Sequence, residues 1–319
     1  MEKIKNSEEQ KYWKFLTVGF ACHSLCLLEQ AGILSSLLEK GSYGEEEIDK
    51  APNPPLLRSA LVTLVDAGIL KWEDETFLLT DFGRYLGENI GTFLITFVGY
   101  RKLLAKQEVL LNHPKQWDDS EIDYQSVAVS SINFGHRFVD PILIEIVKEM
   151  HPKGTICDLG CGTAEKLVNL CAAAQTSGLG FEKDQKVVKK SKAFTKGHPE
   201  VEVIEADITK LKGIWEDVEI GFIGMVLHDF DEEESLSFLR SLTEHFPRMR
   251  SLIIFDIVTM SKEIPTILPG FDYVHGLQGI RPRTHRENLE IFEKAGYALL
   301  KEVVVPHMPN TYIWVLKNI

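Results

Sequence analysis

Cysteine is scarce in this chain and does not occur in closely spaced pairs. The 319 residues include five cysteines, and no two of them form a CxxC pair. Disulfide frameworks and structural zinc sites both depend on paired cysteines. The sequence therefore predicts a reduced, cytoplasmic protein without structural zinc. The cysteines stand at positions 22, 26, 157, 161 and 171.

Long apolar runs and an excess of positive charge are also missing. No run reaches the roughly 18 apolar residues of a membrane span, and residues 1–14 are charged, without the apolar centre of a signal peptide. Lysine and arginine number 35 against 47 aspartate and glutamate, a formal net charge of −12. Nucleic acids and anionic membranes attract basic surfaces, so neither is an expected partner. The length and the 44% hydrophobic composition indicate a globular chain of two domains.

The chain does have a glycine-rich segment, residues 155–164, with the sequence TICDLGCGTA. An apolar run ends at Asp158, glycines follow at 160 and 162, and a helical pattern begins near Ala164. Strand, glycine turn and helix form the first unit of a Rossmann-like sheet, where the backbone approaches a nucleotide-like ligand. Asp158 would repel a pyrophosphate but not a sulfonium with an amino-acid group. This favours S-adenosylmethionine over NAD, with a purely structural turn as the alternative.

The N-terminal part has the pattern of a winged helix. Residues 11–40 repeat apolar side chains at helical spacing, and residues 69–72 and 76–80 are typical of the two strands of a small hairpin. Winged helices often bind DNA, but residues 1–85 hold nine lysines and arginines against fourteen acids, a net charge of −5. This is too little positive charge to neutralise phosphates. The apolar helix faces instead predict a dimerisation domain over residues 1–90, with a second copy of the chain as partner.

Residues 91–150 are predicted to be a helical linker that contributes to the active site. A helix is predicted from Gly91 to about Leu111, and two more at about 124–134 and 137–150. Three side chains of this region are candidates for the wall of a substrate pocket: Tyr100, Phe134 and His136. Burial in the core is the alternative for the two aromatic rings.

Residues 151–319 are predicted to be an α/β catalytic domain, because strand and helix patterns alternate from Gly154 onward. Polar side chains stand at the ends of five successive predicted strands: Asp158, Glu182, Asp207, His228 followed by Asp229, and Asp256. Ligands bind at the carboxyl edge of such sheets, so these side chains are expected to lie at one site. Helix capping is the alternative role for the acids.

These features resemble the class I S-adenosylmethionine-dependent methyltransferases, and more narrowly the small-molecule O-methyltransferases that include the plant caffeate and hydroxyindole enzymes. The resemblance covers the chain from about Lys11 to Ile319. It implies a Rossmann-like catalytic domain after a mainly helical winged-helix dimerisation domain, and a homodimer that acts on a small molecule. The segments that carry the resemblance are Ile156–Ala164, Gly180–Glu182, Glu205–Ile208 and Val226–Glu232.

The resemblance also implies roles for individual residues. His228 is expected to remove the substrate proton, with Asp256 orienting it and Asp229 beside it; an imidazole with the ordinary pKa of about 6.5 can accept a proton near neutral pH. The implied cofactor is S-adenosyl-L-methionine, which becomes S-adenosyl-L-homocysteine. Eight residues are expected to bind it: Asp158, Gly160 and Gly162 at its methionine part, Glu182 at the ribose, Asp207 and Ile208 at the adenine, and also Cys161 and Met225.

The chain departs from the family pattern at two places. The third glycine of the turn is replaced by Ala164. The usual Arg-Glu-Arg-Thr segment is here Arg281-Pro282-Arg283-Thr284. Because Pro282 cannot accept a hydrogen bond from the histidine ring as glutamate does, half of the groups that orient the base are absent.

The leading hypothesis is O-methylation of a small apolar or aromatic metabolite, without a metal. The alternative is a metal-dependent C-methyltransferase of a 2-oxo acid, in which His228 and His275, with His285 in reserve, hold the ion. His275 is otherwise expected in the wall of the substrate pocket. A different class, a non-catalytic winged-helix regulator that senses S-adenosylmethionine, is disfavoured by the acidic N-terminal domain. A dehydrogenase is disfavoured by Asp158.

Overall fold

The computed structural model describes residues 8–114 and 116–319, apart from the side chains of Asn133 and Phe134. The chain divides into two compact units, one that ends at Val98 and one that extends from Gly99 to Ile319. By their contacts, residues 91–98 of the predicted linker belong to the first unit and residues 99–150 belong to the second. That the segment acts as a linker stays a prediction.

The first unit is mainly helical. Its helices are α1 (Glu8–Gln30), α2 (Ile33–Lys40), α3 (Glu45–Asp49), α4 (Pro54–Asp66), α5 (Asp81–Glu88) and α6 (Gly91–Leu94). Its strands are β1 (Ser42–Gly44), β2 (Leu70–Glu73) and β3 (Thr76–Leu79). Helix α4 begins where the Asn53 side chain accepts a hydrogen bond from Leu56 N–H, with proline in the first turn, where no backbone donor is needed.

A three-stranded antiparallel sheet completes this unit. Strands β2 and β3 pair with Leu70 opposite Leu79, which confirms the predicted hairpin. Strand β1 pairs with the other side of β3; it is not predicted, because the glycines around it are typical of a break between helices. The sheet and the helices share one apolar core, in which Leu61 and Phe77 are buried. Together they form a winged helix.

Helix α1 exposes large apolar side chains. Those of Phe15, Trp13 and Phe20 are 85%, 62% and 61% exposed. Among the described residues, no single helix is long and apolar enough to cross a membrane; α1 and α2 meet the requirement only when taken together across a bend of 86°. Large exposed apolar side chains of this kind are typical of an interaction surface.

The second unit begins with short helices. A π-helical turn (Ile95–Gly99) leads to α7 (Arg101–Ala105), α8 (Gln107–Asn112), a 3-10 turn (Asp119–Glu121), α9 (Tyr124–Phe138) and α10 (Asp140–Met150). The continuous helix predicted from Gly91 to about Leu111 is wrong, since the backbone leaves helical geometry at Tyr100 and Lys106. A π turn inserts one residue into the helical repeat, and apolar periodicity does not reveal it.

From residue 155 onward, strands and helices alternate as predicted. The strands are β4 (Thr155–Leu159), β5 (Gly178–Glu182), β6 (Val201–Glu205), β7 (Val218–Gly224), β8 (Ser251–Ile257), β9 (Tyr297–Val304) and β10 (Thr311–Asn318). The helices are α11 (Glu165–Ala174), α12 (Gln185–Phe194), α13 (Glu232–His245), α14 (Phe271–Leu277) and α15 (His285–Lys294). Short 3-10 turns lie at Thr195–Gly197, Ile208–Lys210 and Leu227–Asp229.

The strands of the second unit form one seven-stranded sheet in the order β6-β5-β4-β7-β8-β10-β9. Strands β4 to β8 are parallel, and β10 is antiparallel to both β8 and β9. Helices cover both faces, so neighbouring residues of β7 are both buried: Phe222 packs towards α10 and α11, and Ile223 towards α13 and α15. The strand order reverses between β4 and β7, and ligands bind at the carboxyl ends beside such a reversal.

Two predicted strand ends lie elsewhere. The fourth strand is predicted to end at His228, but β7 ends at Gly224, and His228 lies in the 3-10 turn that follows. Met225 has a left-handed backbone, with φ of 58°, which ends the strand within an apolar run. The fifth strand is predicted to end at Asp256, but this residue lies within β8, opposite Tyr312 of β10.

Gly180 of β5 gives room to the glycine-rich segment. A Cβ atom added there would lie 2.7 Å from Cys161 Sγ and 3.0 Å from Cys161 Cβ. We expect Gly180→Ala to lower the free energy of unfolding by about 1–3 kcal/mol, because overpacking forces the neighbours to shift. Urea denaturation measures this, with Gly197→Ala as matched control, since a Cβ at Gly197 would have no heavy atom within 4 Å. Equal stability of the two variants would contradict the packing described.

Candidate active site

The glycine-rich segment forms a tight turn at the carboxyl end of β4. Gly160 and Gly162 have φ angles of 101° and 54°, in the left-handed region that favours glycine. The N–H groups of Gly160 and Cys161 both donate to Phe181 O at 2.9 Å, which joins the turn to β5. A Cβ at Gly160 would lie 2.7 Å from Val226 Cγ2. The turn therefore contacts the segment that follows β7.

Ala164 stands in the place of the third glycine of the turn. It too has a left-handed backbone, with φ of 67°, and it precedes α11 in a fully buried position. A Cβ in this conformation costs about 1–2 kcal/mol. The backbone path of the motif is thus retained although its third glycine is not.

The carboxylate of Asp158 is buried beside this turn. Its Oδ1 atom has no hydrogen-bond partner in the described part of the chain. Burial raises the pKa of Asp158 to about 7; the charge of Lys166 opposes the shift, and the charges of Glu182 and Asp140 add to it. A buried acceptor without a donor indicates a missing partner. The ammonium group of S-adenosylmethionine would supply both the donor and the positive charge, so this site fits the expected cofactor.

Glu182 ends β5 and is bonded to the same turn. Its carboxylate accepts hydrogen bonds from the N–H groups of Gly162, at 3.1 Å, and Asp184, at 2.9 Å. An ionised carboxylate can accept about four hydrogen bonds, so capacity remains for the hydroxyls of a ribose. Cys161 lies between the two glycines of the turn and is buried against Gly180.

Asp207 and Ile208 follow β6 at the same edge of the sheet. Asp207 Oδ1 accepts hydrogen bonds from the N–H and the hydroxyl of Thr209, at 3.0 and 2.7 Å, and its Oδ2 lies 3.0 Å from Lys210 Nζ. These contacts make Asp207 a helix cap, the alternative that the sequence left open. Ile208 is half-buried against the apolar core. Binding of adenine by this pair stays a prediction.

His228 is held by a buried carboxylate. Its Nδ1 lies 2.5 Å from Asp256 Oδ1. The backbone N–H of His228 donates to Asp256 Oδ2 at 3.0 Å, and Ile257 N–H donates to Oδ1 at 2.8 Å. An ionised carboxylate only accepts, so Nδ1 carries a proton and Nε2 is the atom left for chemistry. This geometry is the one expected if Asp256 orients His228.

His275, on α14, faces His228. The two ring centroids are 4.7 Å apart and the rings are nearly perpendicular, at 87°. His275 Nδ1 donates to Phe271 O at 2.7 Å, so its Nε2 also remains open. Asp229 Oδ1 lies 3.6 Å from Nε2 of His228 and 3.8 Å from Nε2 of His275. Two imidazoles and one carboxylate thus converge, with their ligand atoms within 4.8 Å of one another.

The two histidines have opposite pKa shifts. Burial by itself lowers the pKa of His228, but the charges of Asp256 and Asp229 outweigh burial and raise the pKa to about 9. Burial and the positive charge of His228 lower the pKa of His275 to about 4. The ordinary pKa assumed for His228 from the sequence is therefore wrong. To act as a base near neutral pH, the imidazole of His228 would first have to lose a proton.

Of the substrate-pocket candidates, Tyr100 and His275 lie together. Their ring centroids are 6.5 Å apart, and burial, with the charge of Asp229, raises the pKa of the Tyr100 hydroxyl. Tyr124, which no sequence pattern indicates, packs in the same apolar cluster as Tyr100. The side chain of Phe134 lies outside the described residues.

Two other histidines have partners elsewhere. His136, expected in the pocket wall, contacts Asp140 at 2.8 Å and Glu165 at 3.5 Å, where α10 and α11 begin. It is not among the residues that cluster around His275. His285, considered as a reserve metal ligand, has its Nε2 2.5 Å from Glu302 Oε2. Spacing in the sequence does not distinguish these histidines from His275.

The buried charge of Asp158 predicts pH-dependent cofactor binding. A cation binds the ionised carboxylate, so affinity for S-adenosylmethionine should be full above pH 7, near the pKa of Asp158, and fall roughly tenfold per pH unit well below it. Asp158→Asn should weaken binding above pH 7 and remove this dependence, which calorimetric titration measures. Asp184→Asn is the control, because Asp184 only caps α12 and asparagine caps equally well. An affinity independent of pH in the unaltered protein would contradict the assignment.

Comparisons with known proteins show which proteins the chain is similar to. No protein-family model matches the chain. The indolepyruvate C-methyltransferase of Streptomyces griseus is 31% identical over 311 residues, which cover 94% of this chain and 93% of the relative. The mitomycin 7-O-methyltransferase MmcR is similar in structure, with a TM-score of 0.72, 15% identity and coverage of 98% of each chain. CalO1, a methyltransferase in calicheamicin biosynthesis solved in its S-adenosylhomocysteine-bound form, has a TM-score of 0.67 at 16% identity and 100% coverage of each chain.

The shared architecture, a helical N-terminal region before a mostly parallel seven-stranded sheet, confirms the predicted fold class. Identity of 31% over nearly the whole chain shows common descent with a methyltransferase. The protein is therefore an enzyme rather than a non-catalytic regulator, and S-adenosylmethionine is its cofactor. The chain belongs to the class I S-adenosylmethionine-dependent small-molecule methyltransferases.

Proposed function

We propose that this enzyme transfers a methyl group to the carbon next to the carbonyl of a 2-oxo acid, at a site where His228, Asp229 and His275 hold a metal ion. The observation that carries the proposal is the convergence of His228, Asp229 and His275, each of which offers one ligand atom, with these atoms within 4.8 Å of one another. The relative that is named a C-methyltransferase of indolepyruvate supports it.

The three side chains fit a transition-metal ion. Asp256 and the Phe271 carbonyl hold the Nδ1–H groups and leave both Nε2 atoms open, the usual arrangement around metal-bound histidines. Two ligand atoms about 2.1 Å from one ion are about 3.0–3.4 Å apart. The separations of 3.6 and 3.8 Å from Asp229 Oδ1 to the two Nε2 atoms are only slightly longer than this. All three ligand atoms lie within 4.8 Å of one another and would move closer together around an ion. Two histidines and a carboxylate with open positions are typical of non-haem iron.

The proposed reaction is a displacement at the methyl group of the cofactor. A metal ion at this site would supply Lewis acidity, which makes the carbon next to a bound carbonyl easier to deprotonate. A proton passes from that carbon to solvent water, a carbon–carbon bond forms with the methyl group, and the carbon–sulfur bond breaks with its electron pair staying on sulfur. The chain contributes positioning. Contact between Gly160 and Val226 joins the cofactor turn to the segment that carries His228.

The walls of the site favour a substrate with an aromatic or apolar side chain. The Phe271 ring centroid lies 5.0 Å from that of His228 and 4.2 Å from that of His275. Tyr100 and Leu277 belong to one apolar cluster beside them. Surfaces of this composition bind aromatic rings by contact area and ring geometry. We therefore infer an aromatic 2-oxo acid, with indolepyruvate, the substrate in the name of the relative, as the first to test.

Metal content and the position of the transferred methyl group test the proposal. The protein, reconstituted with Fe²⁺, is incubated with trideuteromethyl S-adenosylmethionine and either indolepyruvate or phenylpyruvate, and the product is analysed by mass spectrometry and NMR. We expect the label on the carbon next to the carbonyl. We expect His275→Ala and Asp229→Asn to lower metal affinity and activity by at least about 10–100-fold, since each removes a ligand.

The matched control is His285→Ala, because His285 is bonded to Glu302 and lies outside the ligand cluster. It should leave metal content and product unchanged. Calorimetric titration of the cofactor checks that each variant is folded. A metal-free protein that places the label on a hydroxyl oxygen would overturn the proposal.

O-Methylation with His228 as general base is the second candidate. The close pairing of His228 with Asp256 favours it, since the resemblance to O-methyltransferases assigns the histidine this role. The pKa of about 9 leaves little of the imidazole unprotonated near neutral pH. Pro282, in place of glutamate, gives the ring no second acceptor. This candidate therefore requires a proton to be lost from His228 before the substrate can be deprotonated, as metal binding by the same nitrogen also does.

We infer that a second copy of the chain covers exposed apolar side chains of α1, among which Trp13, Phe15 and Phe20 are each more than half exposed. Burying such a side chain stabilises an interface by about 1.5–3 kcal/mol. We expect Phe15→Asp to weaken the dimer by roughly tenfold or more, as measured by sedimentation velocity. Phe194→Asp, on the second unit and 39% exposed, is the control. If the unaltered protein sediments as a monomer at micromolar concentration, this inference is wrong.

A further inference from the structure

A buried arginine, Arg283, binds the turn that carries His228 and Asp229. It lies between α14 and α15 and is 6% exposed. Its Nη1 and Nη2 groups donate to the carbonyl oxygens of Phe230 and Leu227, each at 2.5 Å. We propose that Arg283 is a positioning residue: by holding the carbonyl groups on either side of His228 and Asp229, it fixes these two side chains in their functional geometry.

The turn needs such support because it is short. Its own backbone hydrogen bonds run from Asp229 N–H to Val226 O at 3.1 Å and from Phe230 N–H to Leu227 O at 3.2 Å, and make a single turn. The described contacts of the Asp229 carboxylate, which is 48% exposed, are those with the two ring nitrogens. Its position therefore depends on the backbone. The backbone carbonyls on both sides of it, in turn, are held by Arg283.

Arg283 is itself fixed from two sides. Its Nε donates to Asn288 Oδ1 at 3.0 Å, and Asn288 Nδ2 donates to Thr284 O at 3.2 Å. The backbone carbonyl of Arg283 accepts a hydrogen bond from Thr259 N–H at 3.0 Å, just beyond β8. Arg283 thus connects the turn to the start of α15 through its guanidinium, and to the segment that follows β8 through its backbone carbonyl.

Arginine suits this position in a way that lysine does not. The planar guanidinium presents donors in several fixed directions, whereas an ammonium on a flexible chain cannot reach the same three acceptors together. Burial lowers the pKa of Arg283, and the charge of Asp256 opposes this. A buried cation costs desolvation free energy even when it is bonded, and an apolar residue of similar volume often gives equal stability. An apolar residue could not donate hydrogen bonds to the turn and so would not fix its position.

The test compares Arg283→Lys with Arg281→Lys. Arg281 is exposed and pairs with Glu287, so it is the matched control. Two probes are used: the affinity for Co²⁺ alone, from its absorption spectrum, and the downfield proton resonance of the Nδ1–H that His228 shares with Asp256, which needs no metal. We expect Arg283→Lys to weaken Co²⁺ binding by about 10–100-fold and to shift or broaden the resonance. Cofactor affinity and the unfolding midpoint should stay close to those of the control.

A second variant, Asn288→Ala, removes a support of Arg283 and should act in the same direction to a smaller extent. Unchanged Co²⁺ affinity and an unchanged resonance in Arg283→Lys would overturn the proposal. So would parallel losses of cofactor affinity and stability in both variants, which a merely structural arginine produces. The inference rests on the proposed metal only through the Co²⁺ probe. If the unaltered protein binds no Co²⁺, the proposed function fails, and the proton resonance still decides the role of Arg283.

Discussion

The buried carboxylate of Asp256 is the interaction on which the active site depends. A buried carboxylate within a covered strand is costly unless its oxygens have donors. Those donors are the backbone N–H and the ring Nδ1–H of His228, together with Ile257 N–H. Two of these three donors belong to His228. The segment after β7 therefore has to bring His228 next to Asp256 of β8. The same hydrogen bonds therefore stabilise the buried carboxylate in the sheet and place the imidazole of His228.

Local patterns in the sequence predict most of the fold. Strands β4 to β8 are recognisable in order, because parallel strands covered on both faces are almost uniformly apolar. Their ends are less predictable. Strand β7 ends where Met225 takes a left-handed backbone, and Asp256 stays within β8 because His228 compensates its charge. Neither a backbone angle nor a distant partner is visible in local composition.

The site is predictable where its residues follow strands and not where distant segments meet. Asp158, Glu182 and His228 are found from their positions after apolar runs. The approach of His275 to Asp229 depends on how α14 packs, which spacing along the chain does not indicate. The contacts of Arg283 cannot be predicted from the sequence either, because two of its partners are backbone carbonyls, which every residue possesses. The sequence does show that Arg283 stands just before a helix, because the capping box of Thr284 and Glu287 marks the start of α15.

The glycine turn places a thiol where the methyl donor is expected to bind. Cys161 lies between the two glycines expected to line the methionine part of the cofactor, and thiolates, not thiols, are the nucleophiles that a sulfonium would alkylate. Burial raises the pKa of Cys161 well above its usual range, and the negative charges of Asp158 and Glu182 raise it further. The carboxylates that are expected to bind the cationic cofactor thus also raise the pKa of the neighbouring thiol. A thiol that stays protonated would not be alkylated by the methyl donor beside it.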